Sequence, residues 1–150
     1  MLDSLLEGRY IATLATVNED GSIHLTAIWF LHRGGAIYMG TYAGSRKARN
    51  AEVRPRGSIL IDLRGAMLGG ATASGALTMI RGAQARELND AIARKYLTAE
   101  GFAEPGVGGA IRASDDVTIR LEPVRWRTWS TAEDFGGAYE QPGISLPLDV

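Results

Sequence analysis

Gly44-Ser45-Arg46-Lys47-Ala48-Arg49-Asn50 is the stretch whose residue types and spacing could do chemistry. It sets a hydroxyl and two adjacent cations where an apolar segment, Ala36 to Thr41, gives way to a helical pattern. The first backbone N–H groups of a helix have no partner inside it, and the aligned peptide dipoles add positive charge there. Such a start suits a phosphate. Guanidinium and ammonium groups add charge-assisted hydrogen bonds, and the small Gly44 lets the backbone come close. Ser45, Arg46 and Lys47 are therefore the candidate phosphate-binding residues, and a phosphorylated ligand is the first expectation. The plainer alternative is a solvated helix start capped by Ser45, with Arg49, Arg54 and Arg56 forming an ordinary charged face.

Other reactive groups are sparse. The absence of cysteine excludes disulfides, thiolate catalysis, iron–sulfur clusters and thiolate zinc sites. His24 and His32 are the only histidines, and neither has a carboxylate or second histidine at ligand spacing, so no metal is expected. A single histidine could still ligate haem. No nucleophile elbow is present, and Gly106 to Gly109 lacks the strand–helix context of a dinucleotide fingerprint. Tyr38, Tyr42 and His24 are the candidates for proton transfer, with nothing to separate them. Sixteen cations against 17 acids make the basic stretch a local feature, and aromatics are not interleaved with it, which argues against nucleic acid.

The elements that must position these residues are mostly strands. Nineteen glycines in 150 residues point to many turns and a sheet-rich fold. Asp3 is placed to cap a short helix over Ser4 to Glu7. A strand is expected from Tyr10 to Val17, an Asp20-Gly21 turn, and a partner strand from Ser22 to Leu31. Gly34-Gly35 turns the chain into Ala36 to Thr41, and a helix runs from Ser45 to Arg54, ended by Pro55. Strands follow at Ser58 to Leu63 and, after a glycine-rich bend over Gly65 to Gly70, at Ala71 to Arg81. Gly75 inside the latter marks a bulge. Leu88, Ile92 and Tyr96 recur every four residues, the signature of an amphipathic helix over Ala83 to Thr98. Gly101 to Ser114 reads as a mobile loop. Asp116 to Glu122 is a strand interrupted by Pro123, with pairing resumed at Val124 to Trp129. The whole is one domain over 1–130 with an extended tail over 131–150. No secretory leader and no membrane span is read, so a cytoplasmic protein without membrane partners is expected.

With these elements in order, the chain resembles the FMN-binding split-barrel family, which includes pyridoxamine 5′-phosphate oxidase and deazaflavin (F420)-dependent reductases. The resemblance rests on Ile11 to Val17, Asp20-Gly21-Ser22, Ala27-Ile28-Trp29-Phe30, Tyr38-Met39-Gly40-Thr41, Gly44 to Asn50 and Arg54 to Ile59. It implies a six-stranded antiparallel split β-barrel with appended helices, and a homodimer whose flavin sites lie at the subunit interface. By the same resemblance, Ser45, Arg46 and Lys47 hold the cofactor phosphate, Thr41 adds a phosphate or ribityl contact, and Asn50 supports the pocket. Thr26, Ala27, Ile28 and Trp29 would run along the isoalloxazine ring. Leu25 and Phe30 stand where the vitamin B6 enzyme carries Arg and Lys, which argues against that substrate. The implied activity is an FMN- or F420-dependent oxidoreductase acting on a small organic molecule, with FMN the first cofactor. The alternative is a non-catalytic binder of flavin, haem or another tetrapyrrole.

Overall fold

In the first hairpin, alternation decides which face is buried. The computed structural model describes residues 1–63, 69–113, 116–131, 138 and 143. Strand β1 (Ala12–Val17) buries every second residue, so Ala12, Leu14 and Thr16 face the core. Strand β2 (Ile23–Ile28) pairs with it antiparallel, from Val17↔Ile23 to Ala12↔Ile28. The turn between them is closed by Asp20, whose carboxylate accepts from the Ser22 N–H at 3.0 Å and from its hydroxyl, while Gly21 takes the left-handed φ of 82°.

The expected second strand, Ser22 to Leu31, is broken. β2 stops at Ile28 and a separate strand β3 (Leu31–Arg33) begins three residues later, so the sheet has seven strands rather than six. Strand β4 (Ala36–Tyr42), β5 (Arg56–Leu63), β6 (Gly69–Ile80) and β7 (Asp116–Ser130) complete it in the order β2-β1-β5-β6-β7-β4-β3. β2 and β3 thus lie at opposite edges although two residues separate them. Two residues reach only about 10 Å between their flanking Cα atoms, so the sheet must curl until its edges nearly meet. That curl makes the split barrel.

The long β6–β7 pair carries the bend. Its register shifts between Ser74 and Gly75, where Ser74 faces Arg125 and Gly75 faces Pro123, leaving Val124 as the extra residue. Pro123 therefore sits inside one continuous strand, at the bulge that tolerates its missing N–H, and does not interrupt it. The core behind the sheet is aliphatic: Leu14, Ile37, Met39, Ile59, Ile61, Ile119 and Leu121 are essentially inaccessible.

Helices cover the openings. Helix α1 (Leu2–Glu7) starts two residues earlier than expected, with Met1 at the cap and Asp3 inside the first turn. Helix α2 (Arg46–Val53) begins at Ser45, whose Oγ accepts from the Ala48 N–H at 3.2 Å. Helix α3 (Gly82–Tyr96) buries Ala85, Leu88, Asn89, Ile92 and Ala93. The mobile loop expected over Gly101 to Ser114 is instead helical over its described residues, 101–113: α4 (Ala99–Ala103), a π-helical turn Pro105–Gly109 and α5 (Ala110–Ala113), while residue 114 lies outside the described residues. Side-chain caps explain the difference, since Thr98 accepts from the Gly101 N–H and Glu104 from the Val107 N–H, offsetting the glycine entropy. No helix of the described residues is long and apolar enough to cross a membrane. Residues 64–68 of the expected bend, and all of the expected tail except 131, 138 and 143, lie outside the described residues.

Candidate functional site

The start of α2 stands between two cavities. The first, of about 450 Å3, opens at the split where β2 ends, walled by β4 on one side and α3 on the other. Its volume falls in the range of small-ligand pockets. Ile11, Ala27, Ile28 and Trp29 give it an apolar wall. Gly40, Thr41, Lys47, Asn89 and Asp116 give it a polar one. The second cavity, of about 640 Å3, is lined on α2 by Arg46, Arg49, Asn50 and Val53, and opposite by the Asn18 to Ser22 turn.

Helical geometry separates the residues that the sequence groups together. Neighbours on a helix point about 100° apart, so Lys47 lines the first cavity and Arg46 the second. Asn50, one turn beyond Arg46, shares that second cavity. Its amide donates to Thr16 Oγ1 at 3.1 Å and Asn18 Oδ1 at 2.9 Å and accepts from Arg54 at 3.2 Å, which ties α2 to β1. Ser45 is 2% exposed and lines neither cavity. Its Oγ serves the helix cap and accepts from Thr41 Oγ1 at 3.1 Å, so Thr41 is the hydroxyl at the cavity wall. Thr26 belongs to neither lining and hydrogen-bonds Ala27 O at 3.4 Å. Tyr38, Tyr42 and His24 also lie outside the first cavity, whose ionisable lining residues among the described ones are Lys47 and Asp116. His32 sits on β3 beside Glu7, 3.8 Å away.

Electrostatics favour an anion at Lys47. Partial burial pushes its ammonium below the ordinary lysine range, because the charged form has lost hydration. A ligand anion restores what that desolvation removes. Thr41 hydroxyl and Asn89 amide add neutral hydrogen-bonding groups on the same side.

Helix α3 supplies the wall that the sequence reading left unassigned. Leu88, Ile92 and Tyr96 marked one stripe, but Ala85, Asn89 and Ala93 form a second, also at spacings of four and also buried. Asn89 donates to Val117 O at 3.3 Å and accepts from Thr118 Oγ1 at 2.8 Å. Gly40 leaves room for it, since a Cβ there would come within 2.7 Å of Asn89 Oδ1 and push the amide from its place. A polar residue in register with two alanines was the available signal. Ile111 was not legible, because its segment read as a loop, and Asp116 was read only as the start of a strand.

The donor set and shape fit a flavin mononucleotide or a deazaflavin: an apolar wall for a flat ring, and a cation with a hydroxyl for a phosphoryl group. Such a group would be held by Thr41 and Lys47, with Ala27 to Trp29 along its ring.

Known proteins agree with the architecture. No curated protein matches the sequence. The solved structure of the conserved hypothetical protein Rv2991 from Mycobacterium tuberculosis is similar, with a TM-score of 0.75 and 25% identity, covering 97% of this chain and 89% of that one. An F420 reductase is similar at TM-score 0.63 and 19% identity, over 83% of this chain and 94% of that one. HutZ, the haem storage protein of Vibrio cholerae, is similar at TM-score 0.67 and 17% identity, over 85% and 90%. The two lower identities speak to fold alone. The family model described as pyridoxamine 5′-phosphate oxidase matches residues 2–130. With that span and the split-barrel topology, the chain belongs to the pyridoxamine 5′-phosphate oxidase-like split-barrel family.

Proposed function

We propose that this protein is a flavin- or deazaflavin-dependent oxidoreductase, with FMN the first cofactor and F420 the second, acting on a small organic substrate as a cytoplasmic homodimer. One observation carries the reading: Lys47 and Thr41 share a cavity of about 450 Å3 with the flat, apolar Ala27–Trp29 wall. When bound, the flavin supplies the hydride or electron-pair chemistry. The chain supplies the rest. Lys47 neutralises the phosphoryl charge, the Thr41 hydroxyl turns its proton from Ser45 to donate beside it, and the β2 wall and Ile92 exclude water from the ring. Proton delivery falls to solvent or to Asp116, since Tyr38, Tyr42, His24 and His32 do not line the cavity.

The similarity to a haem storage protein raises a haem-binding alternative, but neither His24 nor His32 lines the cavity, so the flavin reading is favoured. Partnering is argued from β2, whose apolar Ile23 and Leu25 are 59% and 63% exposed on an edge strand. The test is identification of the cofactor released on denaturation, with the visible spectrum of the purified protein. Flavin or deazaflavin bands support the reading. A Soret band, or binding of neither FMN nor F420 on titration, overturns it.

A further inference from the structure

Trp29 lies in the two-residue crossing between the sheet edges, where residues 29 and 30 belong to no strand. The ladder that orients side chains elsewhere is therefore missing at the residue that walls the cavity. Tyr96, the last residue of α3, takes its place. Its ring stacks on the Trp29 indole with centroids 4.9 Å apart and planes 5° from parallel. Its hydroxyl donates to Tyr10 O at 2.7 Å and accepts from the Phe30 N–H at 3.3 Å. One side chain thus ties together the approach to β1, the crossing peptide and the indole, and two of those segments contribute Ile11 and Trp29 to the lining.

Other contacts secure the neighbours of Trp29. Phe30 is fully buried, with the Lys95 ammonium 4.0 Å over its ring, and Lys95 also donates to Leu6 O at 3.2 Å. Trp29 itself is half-buried, and Tyr96 is the ring that the structure stacks on it. We propose that Tyr96 is a positioning residue: acting through Trp29, it fixes the indole as a flat wall and so sets the cavity's preference for a planar aromatic ring. The inference rests on the flavin reading for the identity of that ring. Burial raises the Tyr96 pKa, so the phenol stays protonated and keeps donating throughout the neutral range.

The experiment uses the full chain carrying Trp126→Phe and Trp129→Phe, so that Trp29 is the remaining tryptophan. Acrylamide quenching and fluorescence anisotropy of Trp29 are read without ligand, and FMN affinity is read by titration. Tyr96→Leu removes ring and hydroxyl, and Tyr96→Phe keeps the ring alone. Leu77→Ala, a core change on β6 outside the cavity, matches the loss of stability. Expected for Tyr96→Leu are a more mobile, more quenchable Trp29 and FMN binding weaker by about tenfold, the scale of a lost aromatic stack. Tyr96→Phe gives a smaller loss of about threefold, and decides the matter if the leucine variant does not fold. Unchanged quenching and affinity, or equal losses in Leu77→Ala at matched Tm, overturn the proposal. If the unsubstituted protein binds neither FMN nor F420, the flavin reading fails while the ligand-free fluorescence still decides the role of Tyr96.

Discussion

Ser45, Arg46 and Lys47 are adjacent in sequence but do three different things. Ser45 is a helix cap sealed from solvent, Lys47 faces the cavity, and Arg46 faces outward near Asp20, whose carboxylate it helps hold below the ordinary range behind the stronger effect of the Ser22 hydrogen bonds. Lys47→Ala is therefore expected to weaken FMN binding by at least about tenfold, and Arg46→Ala by markedly less, as read by fluorescence titration. Equal losses would mean that one site spans both cavities. Ser45→Ala should cost about 1 kcal/mol of stability through the lost cap, seen in thermal or urea unfolding, and Ser45→Asp should recover much of it. Lys47 also sets a pH dependence. Its folded pKa lies below the unfolded value of 10.5, so between the two the unfolded chain holds more protons. The stability of the ligand-free protein then rises with pH across that window. Phosphate binding favours the charged amine, so FMN affinity falls with rising pH over the same window, and Lys47→Met flattens that fall.

At the scale of elements, the bulge between Ser74 and Gly75 shows what a glycine does in a strand. A Cβ on Gly75 would stand 1.8 Å from the Glu122 carbonyl oxygen, a backbone atom that cannot step aside. Gly75→Ala is expected to destabilise the fold by roughly 2–3 kcal/mol, the range of a forced backbone shift, with urea titration as the check. This feature was legible, because a lone glycine inside a β pattern signals a bulge. The β1–β2 turn was legible for the same kind of reason, through Asp20-Gly21. The break at Trp29–Phe30 was not. Both residues favour strands, and only the tertiary demand that β3 lie at the far edge, beside β4, ends the ladder there. Residues 101–113, the described part of the expected loop, misled in the opposite direction: their glycines suggested a loop, while Thr98 and Glu104 supply local caps that hold helical turns.

At the scale of the whole molecule, the edge strand β2 is the one with two large apolar side chains, Ile23 and Leu25, exposed. On β2 the register with β1 turns His24, Thr26 and Ile28 inward, opposite Thr16, Leu14 and Ala12, so that Ile23, Leu25 and Ala27 point out. The usual alternation is thereby inverted at two of three positions, with apolar side chains toward solvent and polar ones toward the barrel. An edge strand also offers unpaired N–H and C=O groups, and isolated proteins normally blunt such edges with charge. This one carries none between Ile23 and Ile28 apart from His24. The proposed second copy of the chain would cover this edge. Ala27 belongs both to that outward row and to the cavity lining, so the partner would stand beside the ligand. Leu25→Glu places a charge in the middle of the row without touching the cavity lining. Sedimentation of the unsubstituted protein should then give twice the chain mass of 16.1 kDa, and the variant should sediment as a monomer. FMN binding should weaken in step with dissociation, and high protein concentration should restore both. A variant that keeps the dimer mass would place the interface elsewhere. Monomers that bind FMN as well as the unsubstituted protein would mean that a single chain builds the whole site.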